Sequence, residues 1–466
     1  MSEVNSTVAE GFFSDPRLAQ AKELVLAAMR DHQAKLKVRG PNPGLQVSYQ
    51  ALLDKFAEAR GGALYYPYLG SGFGAGPLVE LADGSVKYDM ITGIGVHFLG
   101  HNHPVTVEVG LDAAVRNTLM QGNLQQNIES QKFSALLLDA ARASGSRLAH
   151  CFLSTSGAMA NENALKIAFQ KKAGATRVLA FENCFMGRTM VLSQITDRSA
   201  YRSGLPTTLA VDYVPFFDAT RPEESTQQAL TVLRKHLARY PGQHAAMCME
   251  LVQGEGGYYA GDLHFFMALI EELKRHDVAV LIDEVQTFGR LSRLFAFQHF
   301  GLDTHVDIVT IGKLSQVCAT LFTDAFTPKP GLISQTFTGS TAAILAAQTI
   351  VKMLLDGDYF GEDGKIARTH RQFVERFEAI RARHPDLLHG PYGIGGMIAF
   401  TPIDGSATTA KNVLHTLYDK GVIAFVAGSS PARIRFLPPV AAITAEQIDD
   451  VCSIVETTLV ELAKSS

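Results

Sequence analysis

The chain of 466 residues is too long for one simple core, so two or three domains are expected. Hydrophobic residues make up 47% and charged residues 19%, with a formal net charge of −4, which gives neither nucleic acid nor an anionic membrane a reason to bind. Five cysteines without regular spacing favour a reducing compartment over a disulfide framework, the polar opening Met1–Asn5 lacks an apolar signal core, and no window is apolar enough for a transmembrane helix, so a cytoplasmic location is expected.

In chain order, Pro16–Lys37 carries apolar residues at helical spacing. Gly61–Gly76, rich in Gly and Tyr, reads as a loop, and the alternation from Leu78 to Asp89 reads as a hairpin around Asp83-Gly84. From His150 to about Ile350, short apolar strands alternate with helical stretches. The strands include Cys151–Leu153, Arg177–Phe181, Ala245–Leu251, Val278–Ile282 and Ile308–Ile311. Such alternation implies right-handed crossovers and a mostly parallel sheet. A long helix follows from about Thr341 to Leu355. The remainder (Gly395–Phe400, Val422–Ala427 and Ile434–Phe436, with helices Ala407–Lys420 and Ala445–Lys464) reads as a smaller α+β domain. The expected division is an N-terminal segment, 1–90, packing with the small domain; a large domain, 91–345; and a small domain, 346–466.

Two strand ends carry the chemistry. Val278–Ile282 stops at Asp283-Glu284, and Val306–Ile311 stops at Gly312-Lys313. In open α/β sheets ligands gather at the carboxyl ends of strands. A carboxylate and an amine there are what a pyridoxal phosphate site needs: the amine forms an imine with the cofactor, and the anion keeps its ring nitrogen protonated. Upstream, Phe152–Lys166 runs from strand through a turn into a helix. Ser156 can cap that helix while the free N–H groups of Gly157 and Ala158 form an anion cradle. A Walker B reading of Asp283-Glu284 requires a G-x-x-x-x-G-K-[ST] loop, which the chain does not contain. The pentad Gly100-His101-Asn102-His103-Pro104 invites a metal reading, but no further ligands stand at suitable spacing, and no metal is expected.

Six motifs occur in one order: Ser156-Gly157-Ala158 with Asn161-Glu162; Phe185–Thr189; Gln253–Gly257; Asp283–Thr287; Gly312-Lys313; and Ile434–Pro439. Together they resemble the class III (omega) aminotransferases, a pyridoxal 5′-phosphate family of fold type I, over about Asp89 to the C-terminus. The resemblance implies a large domain with a mostly parallel sheet plus a smaller α+β domain. It implies that Lys313 carries the cofactor and shuttles a proton, that Asp283 pairs with the ring nitrogen, that Val285 and Phe185 pack on the two ring faces, and that Gln286 bonds the phenolic oxygen. Gly157 and Ala158, with Ser156 beside them, would hold the phosphate, and Thr336 would reach the phosphate of a neighbouring subunit's cofactor, making the unit a homodimer.

For substrate, the resemblance gives Arg188 the carboxylate far from the reacting amine and Arg435 the α-carboxylate of glutamate or 2-oxoglutarate. Glu255 would pair with Arg435 when an ω-amino substrate is bound. Expected partners are thus an ω-amino acid, such as lysine or 4-aminobutyrate, and 2-oxoglutarate.

The chain also departs from the family. Phe288-Gly289-Arg290 follows Gln286-Thr287 one residue early, Met186 and Met159 replace the usual polar or aromatic residues, and Leu251 replaces a common proline. Lys313–Cys318 is similar to lysine 6-aminotransferases, whereas Gly93–Val96 is more like 4-aminobutyrate and acetylornithine enzymes. Ile94 stands where ornithine aminotransferases carry a gating tyrosine, which argues against free ornithine. Two rival readings stay open at this level: an aminomutase, racemase or decarboxylase using the same cofactor, and a non-catalytic homologue.

Overall fold

The computed structural model describes residues 7–117 and 120–465; the opening Met1–Asn5 lies outside them. A seven-stranded sheet forms the centre: β1 (Leu148–Ser154), β2 (Arg177–Phe181), β3 (Ala210–Val214), β4 (His244–Met249), β5 (Ala279–Glu284), β6 (Ile308–Ile311) and β7 (Cys318–Thr323). Their order is β1-β7-β6-β5-β4-β2-β3. Strand β7 is antiparallel to both neighbours, and the remaining pairs are parallel. Every residue of β4, β5 and β6 is buried, as both-faces-covered parallel strands require, and their Ala, Val, Leu, Ile and Met content follows from that. Helix Gly157–Lys171 packs along β1, β7, β6 and β4, and Leu263–Arg275 packs on β5.

Three sequence expectations need correction. The glycine-rich stretch 61–76 is not all loop: Gly70–Ala75 is a strand pairing antiparallel with Leu78–Leu81, because its backbone bonds do not need side chains to form. The strand before Asp283 begins at Ala279 and runs on through both carboxylates to Glu284. The run Val422–Ala427 is two strands. Val422–Ile423 pairs parallel with Val86–Asp89 in the N-terminal sheet, and Phe425–Ala427 pairs antiparallel with Arg433–Phe436 in the C-terminal one. The break is at Ala424, whose carbonyl leaves both ladders to accept the Tyr66 hydroxyl at 2.9 Å.

The C-terminal sheet (Leu388–Tyr392, Ile398–Pro402, Arg433–Phe436 and Phe425–Ala427, in that order) packs under helices Lys365–Arg383 and Ala407–Asp419. Phe373, Phe377, Phe400 and Phe436 interlock there at ring separations of 5.1–6.3 Å. Helix Thr341–Asp356 lies on Pro104–Ala114 and Ile128–Arg142. No helix of the described residues is long and apolar enough to cross a membrane.

Candidate active site

Asp283 and Glu284 end β5 and serve different neighbours, as successive strand residues must. Glu284 caps the Ala296–His299 turn, accepting from Ala296 N at 2.6 Å and Phe297 N at 2.8 Å. Burial pushes its carboxyl up to about 8. Asp283 borders a cavity of about 300 Å³. Its Oδ1 accepts from Val285 N at 2.8 Å and its Oδ2 from Asn161 Nδ2 at 2.7 Å. Burial raises the Asp283 carboxyl, while these two bonds and the nearby Lys313 charge oppose that rise.

Asn161 is itself fixed. Its amide nitrogen also donates to the Met186 carbonyl at 2.9 Å, and its amide oxygen accepts from Thr310 Oγ1 at 2.7 Å. Thr310 belongs to β6, three residues before Lys313, so one hydrogen-bonded chain ties the anion to the strand that delivers the amine. Lys313 follows Gly312 with φ of +54°, a left-handed conformation that a lysine adopts only when its surroundings impose it. It borders the same cavity, and burial lowers its ammonium from the ordinary range against the pull of Asp283.

The opposite wall comes from the turn after β1. Ser156 caps helix Gly157–Lys171, its Oγ accepting from Met159 N at 3.1 Å, and Gly157 and Ala158 border the cavity with the helix's first N–H groups. Gly157 lies so close to Val285 that a Cβ would be 2.7 Å from Val285 Cγ1. Phe185, Val285, Gln286 and Arg188 complete the lining.

Glu250, at the end of β4, braces two of these pieces: its Oε2 accepts from Phe185 N at 2.8 Å and its Oε1 from Gly254 N at 3.1 Å. Burial, with Asp283 nearby, pushes the Glu250 carboxyl up to about 8.

Glu255 and Arg435 meet: Arg435 Nη2 donates to Glu255 Oε1 at 2.5 Å, and Arg435 is 0% exposed. Arg435 Nη1 reaches Gln286 Oε1 at 3.3 Å and the Gly254 carbonyl at 3.4 Å. Arg188 is exposed, makes no ion pair among the described residues, and lies 4.0 Å from the Tyr201 ring centroid.

Five expected residues do not border the cavity: Ser156, which caps the helix behind it, Glu255, Arg435, Ile94 and Thr336. Ile94 sits in a left-handed turn in which Thr92, Gly93, Ile94 and Gly95 all have positive φ. Asp89 holds this turn through Thr92 N at 2.6 Å, Gln316 Nε2 through the Val96 carbonyl at 2.9 Å, and the buried Arg290 through the Gly95 carbonyl. Thr336 is exposed on a loop beside Gly122, where a glycine Cβ would lie 2.0 Å from the Thr336 carbonyl. Of the histidine pair, His103 caps helix Pro104–Ala114 and His101 meets Asp89 at 2.9 Å. Asn161, Glu250 and Thr310 have no site role on the sequence alone. Their signal was position: a polar residue at a strand end, or one turn into the helix of the anion cradle.

A sequence model of the class-III aminotransferases matches residues 73–459. The chain belongs to this family. Acetylornithine aminotransferase of Streptococcus mutans is 31% identical over 376 residues, covering 78% of this chain and 89% of that one. The acetylornithine aminotransferase of Methanocaldococcus jannaschii is 28% identical over 404 residues, covering 84% and 93%. Lysine aminotransferase from M. tuberculosis superposes with a TM-score of 0.77 at 24% identity, covering 88% of this chain and 99% of that one. Taurine:2-oxoglutarate aminotransferase from Bifidobacterium kashiwanohense, in complex with PLP and glutamate, superposes with a TM-score of 0.74 at 20% identity, covering 84% and 92%. These superpositions show the shared fold type I architecture.

The protein is therefore a pyridoxal phosphate-dependent aminotransferase of the omega type, exchanging an amino group between an amino acid and a 2-oxo acid. Its cavity fits the cofactor: a carboxylate at one end, a strained lysine beside it, and a helix start whose glycine leaves the space that a Cβ would fill.

Proposed function

We propose that this aminotransferase takes the terminal amino group of an ω-amino acid, such as lysine or 4-aminobutyrate, and passes it to 2-oxoglutarate, giving a semialdehyde and glutamate. Bound in the cavity, the cofactor supplies an electron sink and carries the amino group between the two substrates. In this reading Asp283 holds the proton on the ring nitrogen, and Asn161 holds Asp283. Lys313 moves a proton between the substrate carbon and the cofactor's C4′, a task for which its lowered basicity suits it. Gly157 and Ala158, beside Ser156, receive the phosphate; Phe185 and Val285 flank the ring; Gln286 faces the phenolic oxygen. Arg188, exposed and without a carboxylate partner among the described residues, takes the far carboxylate. Ile94 shapes the donor side, and Thr336 completes the phosphate site of a partner subunit in a homodimer. The cytoplasm is the proposed location. The names of the relatives and structural neighbours add acetylornithine, ornithine and taurine to the donors worth testing.

The observation that carries this reading is the Glu255–Arg435 pair. An ω-amino donor has no carboxylate beside its reacting carbon, whereas 2-oxoglutarate does. A fully buried guanidinium must be masked for the first and free for the second, and Glu255 masks it at 2.5 Å.

Single-turnover measurements of each half-reaction test the proposal. Glu255→Ala should favour α-amino donors such as glutamate over ω-amino donors. Arg435→Met should slow the 2-oxoglutarate half-reaction more than the donor half, by an amount set by the roughly 3–5 kcal/mol cost of breaking a buried pair. Equal losses in both halves for both variants would reduce the pair to a structural contact.

A further inference from the structure

Arg433 and Arg435 stand two apart on one strand and project to the same side of it, but only Arg435 has a carboxylate. Arg433 is 4% exposed. Its guanidinium lies 3.6 Å from the Tyr392 ring centroid and 4.1 Å from that of Tyr259. Its Nη1 donates to the Gly257 carbonyl, and its Nε has no partner among the described residues. Aromatic faces offset part of a buried cation's lost hydration, yet the remaining donors and the net charge call for an anion.

Arg433 borders a cavity of about 730 Å³ between Phe216-Phe217 after β3 and the Ser429–Arg433 loop. The acidic groups there do not answer it. Asp218 is tied to Arg221 at 3.2 Å, Glu224 is tied to the same arginine at 3.3 Å, and Glu182 is exposed at the border with no ion pair to Arg433. The back wall includes Gly256 and Tyr258, so the cleft lies behind the segment that carries Glu255 and outside the reaction cavity.

We infer that this cleft binds a small carboxylate with a flat apolar body, its carboxylate on Arg433 and its body against Phe216, Phe217 and Tyr259. With Nη1 engaged by Gly257 and Nε buried, Nη2 is the donor left to take a carboxylate, and the aromatic walls suit a ring or an equally flat group. The inference is independent of the donor and acceptor proposed for the reaction cavity.

The chain contains no tryptophan, so Phe217→Trp places a unique indole at the cleft. The cofactor-loaded variant is titrated with 3-phenylpropionate, which has no amino group to transfer. A saturable change in indole emission is expected. It should weaken at least about tenfold when Arg433→Gln is added and persist when Arg435→Gln is added instead. No saturable change, or a loss that follows Arg435 rather than Arg433, would overturn the assignment. Should Arg433→Gln fail to fold by circular dichroism, Ser429→Phe fills the cleft from its exposed loop. Loss of binding in that variant supports the site, and undiminished binding refutes it.

Discussion

The role proposed for Asp283 needs its charge, and the residues around it decide whether it has one. Burial favours the neutral acid; the Val285 N–H and the Asn161 amide favour the anion. Asp283→Asn should therefore bind the cofactor yet lose about 100-fold or more in turnover, since a preorganised charge in a dry site is worth that much. Asn161→Ala should retain the charge but loosen it, with a loss of about tenfold from one charge-assisted bond. Steady-state kinetics on cofactor-saturated enzyme checks both, and an Asn161→Ala variant as fast as wild type would detach it from the site. The Asp283 position was legible because an apolar strand ending in an acid is a one-dimensional pattern. Asn161 was visible in its motif, but its partners at 283, 186 and 310 are distant in sequence, and no local spacing announces them.

The strand–turn–helix unit of β1 and Gly157–Lys171 stands against the β5 end with almost no clearance. Gly157→Ala would put a methyl group 2.7 Å from Val285 Cγ1 and drive Val285 toward the ring site. An overpacking cost of about 1–3 kcal/mol should appear as weaker cofactor retention, measured by visible absorbance after dialysis, with the melting temperature of the cofactor-free form lowered less. At the same strand end, Glu284 gives the fold a pH dependence. Burial pushes its carboxyl from the ordinary 4.5 up to about 8. A raised acid contributes stability that is complete below its unfolded value and is lost as pH rises through its folded one. Melting temperature should therefore fall between about pH 4.5 and 8, and Glu284→Gln, which cannot ionise, should lessen that fall, leaving the part that Glu250 contributes. A variant with the wild-type slope would assign the dependence elsewhere. At this scale the β-branched parallel strands could be read from composition. Strand β7 could not be placed, because its antiparallel direction depends on a short return from Lys313 rather than on its own residues. Gly70–Ala75 was missed for the opposite reason: its five small residues carry no alternating pattern.

For the whole molecule, the proposed homodimer gives Thr336 a purpose that its own subunit does not, since it is exposed and away from the cavity. Sedimentation of the loaded enzyme should show a dimer, and Thr336→Ala should weaken cofactor retention without dissociating it; an active, loaded monomer would remove the claim. The family relationship covers most of the chain, and the motifs that carry it fall at strand ends and turns, where residue type and position are both constrained. Contacts between distant parts follow no such grammar, and the division of Val422–Ala427 at Ala424 is the clearest case. That six-residue run is a stitch between the two ends of the polypeptide. Its first residues close the sheet made by Gly70–Asp89, and its last ones begin the sheet that carries Arg435. A chain shortened from the front to residue 90 would strip Val422–Ile423 of its neighbour and leave bare backbone donors and acceptors one residue from the strand leading to Arg435. The front of the chain and Arg435 therefore stand or fall together, and trimming the enzyme to its central sheet should yield an adhesive fragment, not a smaller catalyst.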